Sequence, residues 1–269
     1  MELTVLVDNN TFIDQYYYGE PAVCYHLQDE KQSLLFDVGY SGIFMSNAKK
    51  MDLNIDQVST IVLSHGHDDH AGGLEAYFAE YKNKRPTVVT HPDTFLEKRW
   101  EGQRIGAPFS IGEMRERSQL VLSREPVQLG EKLFYLGEIP SYFDFEKRKR
   151  IGDKKSKSGF EPDYVMEDSG MVYHGKEGLF LITACSHSGV CNMLEHAKKV
   201  CKETRIAGVI GGFHLFGLSP KLEKTISYFK EHEIKRLYPC HCISFQAKAR
   251  MNEIIPIQEV GVGLKIDLG

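Results

Sequence analysis

Ser64-His65-Gly66-His67-Asp68-Asp69-His70 is the stretch on which the reading of this chain turns. Three imidazoles and a carboxylate fall within six residues, in the pattern His-x-His-x-Asp-His. Packed together, neutral histidines each need a hydrogen-bond partner, and a buried aspartate needs a counter-charge. A divalent metal satisfies all of them at once. Neutral imidazole is the commonest side-chain metal ligand, and carboxylate suits the same borderline ions.

The flanks place this cluster. Ser59-Thr60-Ile61-Val62-Leu63 is short, apolar and β-branched, which reads as a buried strand. In the run that follows, Leu74, Tyr77, Phe78 and Tyr81 recur at helical spacing, so an amphipathic helix is expected over 72–82. The cluster therefore sits on a strand-to-helix turn. His65 and His67 are two apart and share one side of an extended segment. Asp69 and His70 follow the bend and can face a second point, an arrangement that suits two metals better than one. Helix capping explains one short acceptor, Asp68 or Asp69, and no histidine; Asp68 in particular is expected to be a cap or a solvated side chain.

Eight histidines lie outside the cluster, and three of them repeat its context. Leu179–Thr183 leads into Ala184-Cys185-Ser186-His187-Ser188-Gly189, Ile206–Gly212 into Phe213-His214-Leu215, and Arg236–Cys240 into His241-Cys242. Each is an apolar strand ending in a histidine, and ligands of α/β folds collect at the carboxyl ends of strands. His26, His91, His174, His196 and His232 stand in strand-like, turn or Lys/Glu-rich helical settings and are expected to be satisfied or solvated.

These residues are similar to a known family. His65-x-His67-x-Asp69-His70 resembles the signature of the metallo-β-lactamase superfamily, Phe36-Asp37-Val38-Gly39 its early Asp-x-Gly motif, and His187 and His241 its later histidines. Gly137-Glu138-Ile139-Pro140, Cys185–Asn192, Gly211–Leu215 and Pro239-Cys240-His241-Cys242 resemble, more narrowly, proteins like 7,8-dihydropterin-6-methyl-4-(β-D-ribofuranosyl)-aminobenzene-5′-phosphate synthase. The resemblance implies an α/β fold, a four-layer αβ/βα sandwich with two mixed β-sheets. It also implies two divalent metal ions, zinc first and iron or manganese as alternatives. The implied ligands are His65, His67 and His187 for one ion, and Asp69, His70 and His241 for the other. His214 stands where most di-zinc members carry a bridging acid, as a ligand or a substrate contact, which leaves occupancy of the second site open. Asp69 and His214 are the candidate catalytic residues. Asp37, and after it Asp168, is expected to orient a ligand imidazole from behind. Flavodiiron relatives carry Glu where His67 stands, so oxygen reduction is not expected.

Composition bounds the rest. The 269 residues are 42% hydrophobic and 26% charged, as in ordinary globular chains. The net charge of −4 supplies no general drive toward nucleic acid. No apolar run approaches the ~20 residues of a membrane span, and the start reads as a strand rather than a signal peptide. Reduced cysteines and a cytoplasmic setting follow as expectations. Of the six cysteines, Cys185 and Cys240 fall beside the candidate ligands, as buried small apolar residues or as metal-proximal thiols.

The chain is expected to form one domain over 1–269, with insertions near 92–118 and 144–163. Strands are expected near 3–8, 22–27, 33–37, 59–63, 87–90, 119–122, 132–136, 170–173, 179–183, 206–210 and 236–239. Helices are expected near 41–51, 72–82, 93–99, 189–202 and 220–232. The second insertion carries the basic stretch 147–157, read either as a solvated loop or as a lid that attracts an anion. Together these readings point to a hydrolase that uses a metal-bound hydroxide on a phosphoester or other anionic small molecule. No membrane or nucleic-acid partner is expected, and homo-oligomerisation stays open. The alternatives are a synthase of the pterin type and a non-catalytic metal- or redox-sensing protein.

Overall fold

A computed structural model describes residues 1–269, which divide into two compact units. The first comprises Met1–Arg124, Arg150–Glu167 and Gly261–Asp267; the second comprises Glu125–Lys149, Asp168–Val260 and Leu268–Gly269.

The first unit is built on a seven-stranded mixed sheet, in the order Lys265–Asp267, Glu2–Val7, Cys24–Gln28, Ser33–Phe36, Thr60–Val62, Thr87–Thr90, Gln119–Leu122. Pairing is antiparallel up to Ser33–Phe36 and parallel from there on. The inner parallel strands Ser33–Phe36, Thr60–Val62 and Thr87–Thr90 are largely buried on both sides, as strands covered on two faces are, whereas the edge strand Gln119–Leu122 alternates exposed and half-buried residues. One face is covered by helices: Phe44 and Ala48 of Ile43–Lys50, Leu74 and Phe78 of Leu74–Glu80, and Met114 of Ile111–Arg117 pack on Leu35, Ile61 and Val88. The helical spacing read over 72–82 is the buried face of Leu74–Glu80.

The second unit has a six-stranded mixed sheet, in the order Arg236–Pro239, Ile206–Gly211, Gly178–Ile182, Met171–Gly175, Leu133–Tyr135, Val127–Gln128. Its first three strands are parallel and the rest antiparallel. Helices Val190–Cys201, Pro220–Glu231 and Phe245–Ile254 cover it through Met193, Leu194, Leu222, Ile226, Phe229 and Met251, which meet Leu181, Val209 and Leu237. Each parallel crossover carries a helix, and each strand end carries one of the later histidines.

A third sheet departs from the expected two. Gly159–Pro162, Asp153–Ser156, Lys98–Trp100 and Gln103–Arg104 form a four-stranded antiparallel sheet within the first unit. It joins the two segments read as insertions, so the basic stretch is not a structureless loop beyond residue 152. The helix expected over 93–99 is also absent, because residues 98–99 pair with Lys154 and Asp153 instead. Pairing partners ~55 residues apart leave no local periodic signal. The helix Ile111–Arg117, unread in the sequence, has such a signal: Ser110 and Glu113 form a capping box. No helix is long and apolar enough to cross a membrane.

Candidate metal-binding residues

In the first unit, strand Thr60–Val62 ends in Leu63-Ser64, and the chain turns through His65-Gly66-His67 into the short helix Asp68–Ala71. The segment read as the first insertion holds this turn. Asp68 N donates to Ile105 O at 2.9 Å, Ala107 N donates to Gly66 O at 2.9 Å, and His67 is bridged to Gly106. Gly66 is obligatory here, because a Cβ at that position would stand 2.0 Å from Thr94 O.

The turn packs three imidazoles together. The rings of His65 and His67 are 4.6 Å apart, and those of His65 and His70 are 4.2 Å apart. All three histidines are buried. Burial, partly offset by Asp69, pulls the His67 pKa down to about 4, so that imidazole is neutral at pH 7. His70 goes the other way: burial lowers its pKa, but Asp69 and Asp37 outweigh that and hold it well above the usual value. Its Nε2 lies 3.2 Å from Asp69 Oδ2.

Asp37 lies behind the cluster, fully buried at a left-handed φ of 54° just past strand Ser33–Phe36. Its Oδ1 accepts from Ser64 N at 2.8 Å. Its Oδ2 accepts from Ser64 Oγ at 2.7 Å and lies 2.8 Å from His70 Nδ1. Ser64 Oγ lies 2.8 Å from His65 Nδ1. The directions follow from the inventory of protons. An ionised carboxylate only accepts, so His70 carries its proton on Nδ1, and Ser64 O–H points to Asp37. Ser64 Oγ is then an acceptor toward His65, which must also be protonated on Nδ1. His65 is left with its Nε2 lone pair free of Ser64, which is the donor form a metal needs, whereas His70, held protonated between Asp37 and Asp69, would have to release its Nε2 proton to a metal.

Asp37→Asn keeps the shape but brings an N–H₂ against either Ser64 N–H or the His70 and Ser64 donors. The expected result is a fall in metal affinity of about 10- to 100-fold, read by titration against a chelator. Unchanged affinity would show that Asp37 does not set these tautomers.

The second unit carries its own donors. The Cys185 sulfur lies within 4.8 Å of a ligand nitrogen of His187 and of one of His241. The His187 and His214 rings are 4.5 Å apart. His214 and His241 both have left-handed backbones, φ 49° and 53°. Burial pulls the His214 pKa down to about 4, reinforced by the charges of Lys221, His241 and Lys149. Asp168 is fully buried, and its Oδ2 accepts from Ser188 N at 2.8 Å and Ser188 Oγ at 2.6 Å. It braces the turn that presents His187 through the neighbouring serine. Cys185, read from the sequence together with Cys240 as a buried apolar residue or a metal-proximal thiol, stands among the potential metal donors. Its signal is its place two residues before His187 at the end of an apolar strand.

The remaining histidines are engaged elsewhere. His26 Nε2 meets Ser33 Oγ at 2.8 Å, His91 Nε2 meets Arg124 at 2.8 Å, His196 Nε2 meets Leu136 O at 3.0 Å, and His232 Nδ1 meets Tyr228 O at 2.9 Å. His174 lies in the hairpin between Met171–Gly175 and Gly178–Ile182.

A family model, the metallo-beta-lactamase superfamily, matches residues 17–198. The chain belongs to the metallo-β-lactamase superfamily. Within that superfamily it is similar to two proteins of Methanocaldococcus jannaschii. One is an uncharacterized protein, 30% identical over 94% of each chain. The other is 7,8-dihydropterin-6-methyl-4-(beta-D-ribofuranosyl)-aminobenzene-5′-phosphate synthase, 31% identical over 81% of this chain and 78% of the relative. Among solved structures, Tm1679, a metal-dependent hydrolase of the beta-lactamase superfamily, aligns with a TM-score of 0.83 and 28% identity, covering 100% of this chain and 99% of that one.

The mixed α/β architecture described above is the metallo-β-lactamase fold, and residues that could hold a metal are present in both units. The donors fit such an ion chemically: they are imidazoles, a carboxylate and a thiol, with the His65 tautomer and the His70 Nδ1 proton set from behind.

Proposed function

We propose that this chain is a metal-dependent hydrolase acting on an anionic small molecule, a phosphoester first among the candidates. The observation that carries the reading is the Asp37–Ser64–His65 and Asp37–His70 hydrogen bonding, which turns buried imidazoles into metal donors. The proposed ligands are His65, His67, Asp69 and His70 in the first unit, and His187, His241, Cys185 and His214 in the second. Zinc is the first choice of ion, with iron and manganese the alternatives for such donors.

Divalent ions held there supply Lewis-acid polarisation and acidify water. The protein's own part is to fix the donors and to handle protons. Asp69, partly exposed, offers an acceptor oxygen that can orient an attacking water. His214 is neutral at pH 7 and can accept a proton or a hydrogen bond from water or substrate. Asp37 and Asp168 hold the turns from which His65, His70 and His187 project.

Purified chain supplied with zinc, manganese or iron(II) is expected to turn over bis-p-nitrophenyl phosphate, assayed beside a thioester, a lactone and a β-lactam. Elemental analysis of the same sample counts the ions per chain. Turnover of none of the four with any metal, together with no bound metal, would sink the proposal.

The 31% identity to the pterin-type synthase supports a second reading, condensation of a dihydropterin with an aminobenzene ribotide. Loss of methylated pterin products in a deletion strain would favour it, and unchanged pterins would count against it. Metal binding without turnover in either assay would favour a sensing role.

A further inference from the structure

The ligand turn of the first unit is braced by a charged side chain that no step of the hydrolytic reading uses. Lys98 opens the strand Lys98–Trp100 of the third sheet and is fully buried. Its main chain reaches the turn on one side. Ile105 N donates to Lys98 O at 3.0 Å, and Asp68 N donates to Ile105 O at 2.9 Å. Gly106, bridged to His67, lies close against it: a Cβ there would stand 3.0 Å from Lys98 N and 3.3 Å from Lys98 Cβ. The stem reaches the turn on the other side, where a Cβ on Gly66 would stand 3.0 Å from Lys98 Cε. The lysine therefore runs past the two glycines that flank His67, one beside it in the chain and one paired with it across the bridge. Glycine at both places is what lets the lysine come this close.

The ammonium end is tethered. Lys98 Nζ lies 2.7 Å from Asp163 Oδ2 and 2.7 Å from Glu167 Oε1, and both acids are fully buried. The turn that presents them is strained. Val165, between them, is buried at a left-handed φ of 49°, a conformation that β-branched residues rarely adopt. Asp163 holds it there, its Oδ1 accepting from Val165 N at 2.8 Å. Asp163 is itself fastened to the chain entering the third sheet: its N donates to Gly152 O at 3.1 Å, and its O accepts from Ile151 N at 2.8 Å.

Three buried ionisable groups and a strained valine are a costly way to fill a core. Apolar side chains of similar volume often serve stability as well or better. What they cannot do is fix the far end of a long, flexible stem at one point. The two acids do that, and the stem they hold is the one packed against the glycines around His67.

We propose that Lys98 is a positioning residue for the metal site: held between Asp163 and Glu167, it keeps the His65-Gly66-His67 turn in the shape that presents its imidazoles. The proposal rests on the reading of these histidines as metal ligands and adds the device that keeps them in place.

Two measurements on the full chain test it. One is zinc affinity after metal stripping, read by competition with a chelating indicator. The other is the visible absorption of the cobalt(II)-loaded chain, which reports ligand geometry. Lys98→Met keeps most of the stem and cuts the tether. It is expected to weaken zinc binding by about tenfold and to shift the cobalt bands. The triple variant Lys98→Met/Asp163→Asn/Glu167→Gln cuts the same tether without leaving an uncompensated buried charge, and it keeps an acceptor for Val165 N. Its denaturant midpoint is expected to return close to that of the parent while zinc affinity stays about tenfold low. A brace that served stability alone would return both together, which would overturn the proposal. Asp163→Asn by itself is the mildest cut, leaving the Lys98–Glu167 contact, and is expected to cost about threefold or more in zinc affinity. Parent affinity and parent cobalt bands in the folded variants would remove the positioning role and leave the metal reading standing. A parent chain that binds neither ion would take both away.

Discussion

His65→Ala is expected to lower the number of metal ions retained per chain and to reduce any hydrolytic rate by roughly 10³ or more. The magnitude follows from what a bound ion contributes, several kcal/mol of charge stabilisation, with each 1.4 kcal/mol worth about tenfold in rate. His65 is the sharpest site for the test because its place is determined from both sides. Its Nδ1 meets Ser64 Oγ at 2.8 Å, and its ring stands between those of His67 and His70. The substitution removes one donor and leaves Asp37 still holding His70 and the Ser64 backbone. Elemental analysis and the phosphodiester assay read the two effects separately. A variant that keeps its ions and its rate would remove the cluster from the metal-binding set. One that keeps its ions and loses its rate would assign His65 to a later role.

The second large effect is on stability. Lys98 is fully buried, with its Nζ 2.7 Å from Asp163 Oδ2 and 2.7 Å from Glu167 Oε1, both acids equally buried. Burial by itself would lower the lysine pKa, but Glu167 and Asp163 together raise it, so it is charged. Lys98→Met preserves most of the stem and deletes the charge, leaving two carboxyl groups buried against each other. Removing one partner of a buried ion pair destabilises by about 3–5 kcal/mol, to be read as a shift in the denaturant midpoint.

The pH dependence of that loss has a definite sign. Burial already raises the Glu167 pKa, which the Lys98 charge opposes. Without Lys98 it rises further, so the folded variant holds a proton that the unfolded chain releases. Stability is then retained below the unfolded carboxylate range and falls as the pH climbs through it. The variant is expected to lie closer to the parent at pH 5 than at pH 8. A loss independent of pH would mean that packing, not charge, is what Lys98 contributes. The same side chain backs Gly66, where a Cβ would come within 3.0 Å of Lys98 Cε, so this ion triad supports the turn that carries His65 and His67.

Local order in the chain fixed a good part of this description. The strand-to-helix turn at 64–70 needs only an apolar run, a histidine cluster and helical spacing at Leu74, Tyr77 and Phe78, all within about twenty residues. Apolar strands ending in His187, His214 and His241 were visible for the same reason: each is a contiguous run with its own punctuation. Asp37 was legible as a motif, but its two hydrogen-bonding roles were not, since they depend on a serine hydroxyl 27 residues away.

The tertiary structure decided what contiguity could not. Strand Lys98–Trp100 replaces an expected helix because its partner, Asp153–Ser156, lies over fifty residues along the chain. Glu146 reads as one more charge in a basic stretch, yet it caps a helix more than forty residues later. Periodicity and residue type report the short-range preferences of the backbone. Register between distant strands, the partners of buried charges and the proton positions on imidazoles are set by contacts whose closing entropy no local segment can reveal.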